Sequence, residues 1–337
     1  MSCALSGLAP SKTTPKSGAW LVAFLLLVGR LAATADDPPA PPRFAGPFDA
    51  GLMAEPRKRE ASGLAASHRP DGVVWTHHDS GGDPVLFALN SADGSSRGAV
   101  RLLGGANTDW EDMASFVLEG RPWLLAADVG DNAAVRRDLA LHLVREPDPA
   151  TLAPGRETAL RPDYSIHFRY EDGPRDCEAV AVDPVERAVY LLSKRDGPPR
   201  LYRLPLAAAG AAQPAVARIV GTVTHLPEPN FLQRQISAPT GKFRRLPCAL
   251  DFSPDGRLAV VLTYGDVLLF PRAAGESWAA ALAKEPVRLA GHRLPQAEGA
   301  CFSRDGRSIF VCSEKTMKLL RYDRRASRAG SGAANHE

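Results

Sequence analysis

Five copies of one hairpin unit, tight Asp-Gly turns within them and no helical periodicity of useful length predict an all-β chain. The architecture they predict is a five-bladed β-propeller closed by an N-terminal strand, with a six-bladed ring as the alternative. Composition agrees. The chain has 337 residues, 45% of them hydrophobic and 23% charged, with 29 Gly and 29 Pro. That is too apolar for a disordered chain and too rich in Gly and Pro for a bundle of long helices.

The first segment reads as an address. Lys12 and Lys16 precede the apolar run from Ala19 to Val28, and Ala33-Thr34-Ala35 supplies the small-x-small pattern of a signal-peptidase site. The run meets Arg30 too soon to cross a hydrocarbon core of about 30 Å, so cleavage after Ala35 is expected rather than anchoring. Residues 1–35 are therefore assigned to a signal peptide, 36–43 to a Pro-rich linker, 44–323 to the propeller and 324–337 to a disordered tail. The chain is expected to be secreted or periplasmic, with no membrane span after cleavage. Without Lys12, Lys16 and Arg30, basic and acidic residues balance at 38 each, so nothing favours nucleic acid or anionic membrane as a partner.

The five hairpin units begin at Ser62, Glu111, Glu178, Cys248 and Glu298. Each is an apolar strand, a turn such as Asp71-Gly72, Asp255-Gly256 or Asp305-Gly306, and a second apolar strand. Outer strands are predicted at Pro84–Asn90 and Arg97–Gly104, Leu139–Val144 and Tyr164–Tyr170, Arg200–Leu206 and Val216–Thr224, and Val267–Pro271 and Pro286–Ala290. The last unit has only Lys318–Tyr322 outside its hairpin, and Phe44–Met53 is left over at the other end. Pairing these two segments would close a ring. The six-bladed alternative rests on Ala207–Arg245, which is long enough for a degenerate copy.

Cys177, Cys248, Cys301 and Cys312 would meet an oxidising compartment. The Asp305-Gly306 turn pairs position 301 with 310, so a bridge from Cys301 to Cys312 would need a bulge.

In a ring of such units the start of every first strand and the end of every second strand meet at one mouth. Alignment places Ser62, Glu111, Glu178, Cys248 and Glu298 at the first inner position, with Glu60, Asp109, Asp176, Leu246 and Gln296 two residues earlier. The second-strand exits bring His77, His78, Asp79, Asp128, Asp131, Asn132, Lys194, Tyr264, Glu314 and Lys315 to the same rim. Crowded carboxylates repel unless a cation or proton compensates. Hard oxygen ligands from several units suit Ca²⁺ better than Zn²⁺. The metal candidates are Glu111, Glu178, Glu298, Asp128 and Asp131. His78, Asp79, Asn132 and Glu314 are candidate ligand-binding residues. The competing reading is structural: an acid entering an inner strand accepts hydrogen bonds from neighbouring amides, and Asp128, Asp131 and Asn132 form an Asx-type turn. There is no Gly-x-Ser-x-Gly elbow, no phosphate loop, no His-Glu-x-x-His and no Cys-x-x-Cys pair.

Glu60-Ala-Ser-Gly-Leu-Ala, Trp75-Thr-His-His-Asp-Ser-Gly, Asp109-Trp-Glu-Asp-Met-Ala, Asp128-Val-Gly-Asp-Asn, Asp176-Cys-Glu-Ala and Ala297-Glu-Gly-Ala, in this order, resemble a group of secreted bacterial propeller proteins over about residues 58 to 315. More distantly, the acid-ringed mouth is similar to those of calcium-dependent propeller phytases and the regucalcin and gluconolactonase class. Ser253-Pro-Asp-Gly resembles the turn of TolB-type propeller repeats. Cys248 interrupts the acid ring, and the lactonase pattern of metal-binding asparagines is not recognisable.

Three functions follow. One is a non-catalytic propeller, monomeric, whose acidic mouth binds calcium and a small anionic molecule or other extracellular ligand. The second is a calcium-dependent hydrolase of a small anionic ester, a phosphoester or lactone, with Glu298 as base and Lys194 or Lys315 steadying negative charge. The third is a structural module of the cell envelope.

Overall fold

A computed structural model describes residues 42–54, 60–69, 71–211 and 213–326. The segment assigned to a signal peptide, and most of those assigned to the linker and the tail, lie outside the described residues. No helix among the described residues is long and apolar enough to cross a membrane.

The chain is all-β. Strand β1 (Phe44–Leu52) is followed by β2 (Ala61–Ala66), β3 (Val73–His78), β4 (Val85–Asn90) and β5 (Ser96–Leu102). Next come β6 (Trp110–Leu118), β7 (Arg121–Asp128), β8 (Leu139–Arg145), β9 (Glu157–Leu160) and β10 (Tyr164–Tyr170). Then β11 (Cys177–Asp183), β12 (Ala188–Ser193), β13 (Arg200–Pro205) and β14 (Ala215–Thr222) form the third group. The chain continues through β15 (Pro247–Phe252), β16 (Leu258–Thr263), β17 (Val267–Pro271) and β18 (Val287–Arg288), and ends with β19 (Ala297–Phe302), β20 (Ser308–Ser313) and β21 (Lys318–Arg324).

Apart from β1 and β9, each group is a meander of antiparallel neighbours, as the turn chemistry predicts. The first strands touch one another in the order β2, β6, β11, β15, β19 and back to β2. This order is consistent with a β-propeller. Between every two successive sheets lies one apolar cluster, such as Trp75, Leu102 and Trp110 between the first and second, or Tyr190, Phe252 and Trp278 between the third and fourth. Ala249 and Leu250, adjacent on β15, belong to different clusters. Both faces of an inner strand are thus dry, which is why these strands read as apolar runs without alternation. Trp278 is fully buried and stacks on Phe252 with ring centroids 3.7 Å apart. Truncating such a side chain to Ala costs about 3–5 kcal/mol.

The leftover N-terminal strand finds its partner. β1 runs antiparallel to β21, with Phe44 opposite Arg324 and Asp49 opposite Leu320. Ala50 and Met53 are carried into the cluster between the fifth sheet and the first.

Two outer-edge features were not read from the sequence. β10 and β14, expected in separate units, pair in parallel through Phe168–Ala215 and Tyr170–Ala217, fusing the second and third units into one eight-stranded sheet. β9 leaves the long connection after β8 and pairs in parallel with β5, covering an edge that would otherwise expose a row of amides. The segment from Ala207 to Arg245 contributes β14 and a one-turn helix, Phe231–Arg234, among its described residues.

Cys177, Cys248, Cys301 and Cys312 are buried free thiols. Cys301 sits opposite Phe310 and Cys312 opposite Gly299, so the register holds the two sulfurs off one another's pair. Burial pushes the Cys177 thiol up to about 12 and those of Cys248 and Cys301 well above the usual range.

Candidate functional site: an acidic mouth built on strand bulges

Every inner strand enters its sheet through a bulge. Pairing jumps from Trp110–Asp128 to Asp112–Ala127 on β6, and from Cys177–Ser193 to Ala179–Leu192 on β11. It jumps likewise from Pro247–Thr263 to Ala249–Leu262 on β15, and from Ala297–Ser313 to Gly299–Cys312 on β19. Glu111, Glu178, Cys248 and Glu298 are the extra residues, and a bulge re-aims the side chain of the residue it leaves unpaired. The same jump on β2, from Ser62–His77 to Leu64–Thr76, makes Gly63 the counterpart and not Ser62. Ser62 instead donates its hydroxyl to the Glu111 carbonyl oxygen at 2.5 Å.

Gly63 has no side chain for a physical reason. Its φ is +68°, and a Cβ there would lie 2.7 Å from His77 Nε2 and 2.9 Å from the Met113 amide nitrogen. The first unit therefore lends the mouth a backbone, and its acid comes from the loop residue Asp79.

Two groups form. Glu178, Cys248 and Glu298 offer ligand atoms within 4.8 Å of one another, and so do Asp79, Asp109 and Glu111. The first group already contains a cation. Lys194, with its side chain 5% exposed, donates to Glu178 and, at 2.8 Å, to the Tyr264 hydroxyl. Burial holds the Glu298 carboxyl at about 7 against the pull of that ammonium, with the Tyr264 hydroxyl and Cys248 thiol hydrogen-bonded to it.

The second group is all carboxylate. Burial, and then the charge of Asp79, raise the Asp109 carboxyl to about 6 and the Glu111 carboxyl well above the carboxylate range. The neighbouring guanidinium of Arg136 is committed to Asp128 Oδ1 at 2.9 Å and the Gly130 carbonyl oxygen at 2.7 Å. Gly130 permits the approach of the acids: a Cβ there would lie 2.5 Å from Asp109 Oδ2 and in collision with the Glu111 carboxylate.

The remaining candidates divide. Asp128 accepts from the Asp109 amide at 3.0 Å in addition to pairing with Arg136. Asp131 accepts from the Val135 amide at 2.9 Å and the Arg136 amide at 2.7 Å, the hydrogen bonds of a turn. Asn132 accepts from Arg195, which also pairs with Asp176. Glu314 accepts from Gln296 Nε2 at 2.6 Å, and Lys315, with a side chain 56% exposed, lies 3.4 Å from its carboxylate. The buried His78 ring packs edge-on against Phe87 at 4.6 Å. Trp110 is fully buried and donates its indole N–H to the Ala106 carbonyl oxygen, so it offers no platform at the mouth.

Beneath the acids lies a residue the sequence reading passed over. Asp112, fully buried on β6, accepts from Val180 and Leu250 amides at 2.8 and 3.3 Å, tying β6 to β11 and across to β15. Burial raises its carboxyl well above the usual range. Its signal was visible: the corresponding residues of the other units are Leu64, Ala179, Ala249 and Gly299.

No family model matches the chain, and no curated protein matches it. Among solved structures it is similar to the PQQ-bound form of an aldose sugar dehydrogenase from Streptomyces coelicolor. The identity is 10% and the TM-score 0.44, over 85% of this chain and 99% of that one. What carries the fold here is the strand order itself.

Proposed function

We propose that the chain is a five-bladed β-propeller, secreted or periplasmic and monomeric, that binds a divalent cation, calcium first, at its acidic mouth and holds a small anionic ligand through it. One observation carries this reading: Asp79, Asp109 and Glu111 bring carboxylate oxygens within 4.8 Å of one another. An all-oxygen set suits a hard cation, and the ion would offset the burial and the repulsion from Asp79 that raise Asp109 and Glu111. The proposed ion set is therefore Asp79, Asp109 and Glu111. The inner strands' contact order supports the count of five blades.

Thermal melts of the full-length chain with EDTA and with added Ca²⁺ test the reading. Calcium should raise the melting temperature of the wild type and leave Asp109→Asn and Glu111→Gln nearly unmoved. Identical melts with chelator and with ion would remove the cation.

A second reading is supported by Glu298. A carboxyl held at about 7 beside the Tyr264 hydroxyl and the Lys194 ammonium is poised to give or take a proton near neutral pH. In that reading the ion polarises a phosphoester or lactone, and Glu298 activates water. Hydrolysis of a phosphomonoester or lactone panel that persists in Glu298→Gln would exclude it.

A further inference from the structure

The far end of the ring holds a second cavity, of about 550 Å³, to which every inner strand contributes: Ala66, Phe116, Val182, Phe252 and Phe302 all line it. This volume lies in the range of small-molecule sites. Asp112 and its two backbone partners stand between this end and the acidic mouth, so the two are chemically separate. The walls are mixed: Phe116, Val182, Phe252 and Phe302 supply apolar surface beside charged and polar side chains, and the outer wall includes Val117, 41% exposed.

Among the described residues, every charged group of the lining but Asp251 has a side-chain partner or binds a carbonyl oxygen. Asp183 is bound by Arg272 at 3.0 Å and by the Trp278 indole N–H at 2.7 Å, and Arg272 also binds Glu186 at 2.9 Å. Asp255 accepts from the Ser253 hydroxyl at 2.6 Å and the Arg257 amide at 3.1 Å. Arg304 donates to the Arg69 carbonyl oxygen at 2.6 Å and faces Asp71 at 3.5 Å. Asp251, partly exposed in the wall, has backbone amides alone: Phe302 N–H at 2.8 Å and that of Phe252. A partly buried carboxylate with no ion-pair partner among the described residues is costly, and a ligand that brings the cation recovers that cost. Consistent with this, burial pushes the Asp251 carboxyl up to about 7.

We propose that this cavity binds a small apolar amine, its ammonium on Asp251 and its hydrocarbon body against Val117, Val182, Phe116 and Phe302.

Calorimetric titration of the full-length chain with phenethylamine, 2-phenylethanol and phenylacetate tests the assignment, since the three share a body and differ in charge. Phenethylamine should bind at least tenfold tighter than 2-phenylethanol, and phenylacetate weakest. Asp251→Asn keeps an acceptor for the Phe302 amide and should bring amine and alcohol to equal affinity. Val117→Trp, at the rim, should weaken both. Equal affinities of the three probes for the wild type, no binding of any, or an amine preference that survives Asp251→Asn would overturn the proposal. If Asp251→Asn does not fold, the wild-type ranking and Val117→Trp decide: an amine affinity untouched by Val117→Trp places the amine elsewhere and overturns it.

Discussion

The Lys194 ammonium donates to the Glu178 carboxylate from the residue just past the second strand of the same hairpin, and both side chains are 5% exposed. Two charges that have left water together depend on one another. Removing one partner of such a pair typically costs about 3–5 kcal/mol, because the survivor is buried uncompensated.

Lys194→Met should therefore cost about 3 kcal/mol or more in urea unfolding, and Lys194→Met with Glu178→Gln should recover a large part of that loss. A strictly additive cycle would show that the pair is not the coupled unit described.

Asp251 gives stability a pH dependence of known sign. Its folded-state carboxyl is raised from the ordinary 3.8 to about 7, so the folded chain keeps a proton that the unfolded chain has released. The contribution is fully present below about pH 4 and is lost as pH climbs to 7, with a slope of up to about 1.4 kcal/mol per pH unit. Subtracting the unfolding free energies of Asp251→Asn from those of the wild type across this range should leave that downward slope. Parallel curves would contradict it.

Gly63→Ala places a methyl group into the bulge of the first inner strand at φ +68°, against Met113 N and His77 Nε2. Backbone strain of about 1 kcal/mol and overpacking of about 1–3 kcal/mol add to an expected loss of about 2–4 kcal/mol. Chemical denaturation measures it. A loss under about 0.5 kcal/mol would mean that the bulge relaxes without cost.

The hairpins and their rim were legible because turn chemistry is local: Asp255-Gly256 and Asp305-Gly306 mark their strands unaided. Glu111, Glu178, Cys248 and Glu298 align from those turns, and all four are the extra residues of their bulges. The first unit slipped by one residue, onto Ser62, because a glycine at the key position leaves no chemical mark to align on. Lys194 was read as a cation steadying a ligand's negative charge, yet it occupies the exit opposite Glu178, and cross-strand reasoning within one hairpin could have joined them. The β10–β14 and β5–β9 pairings were not legible, since parallel edges between distant segments leave no local pattern.

The union of β1 with β21 sets an order on events. Asp49 and Lys318, joined at 2.9 Å, are 269 residues apart in the chain, so the first strand to be synthesised waits for the last. Until the C-terminal hairpin emerges, the N-terminal segment has no seat and the circle stays open.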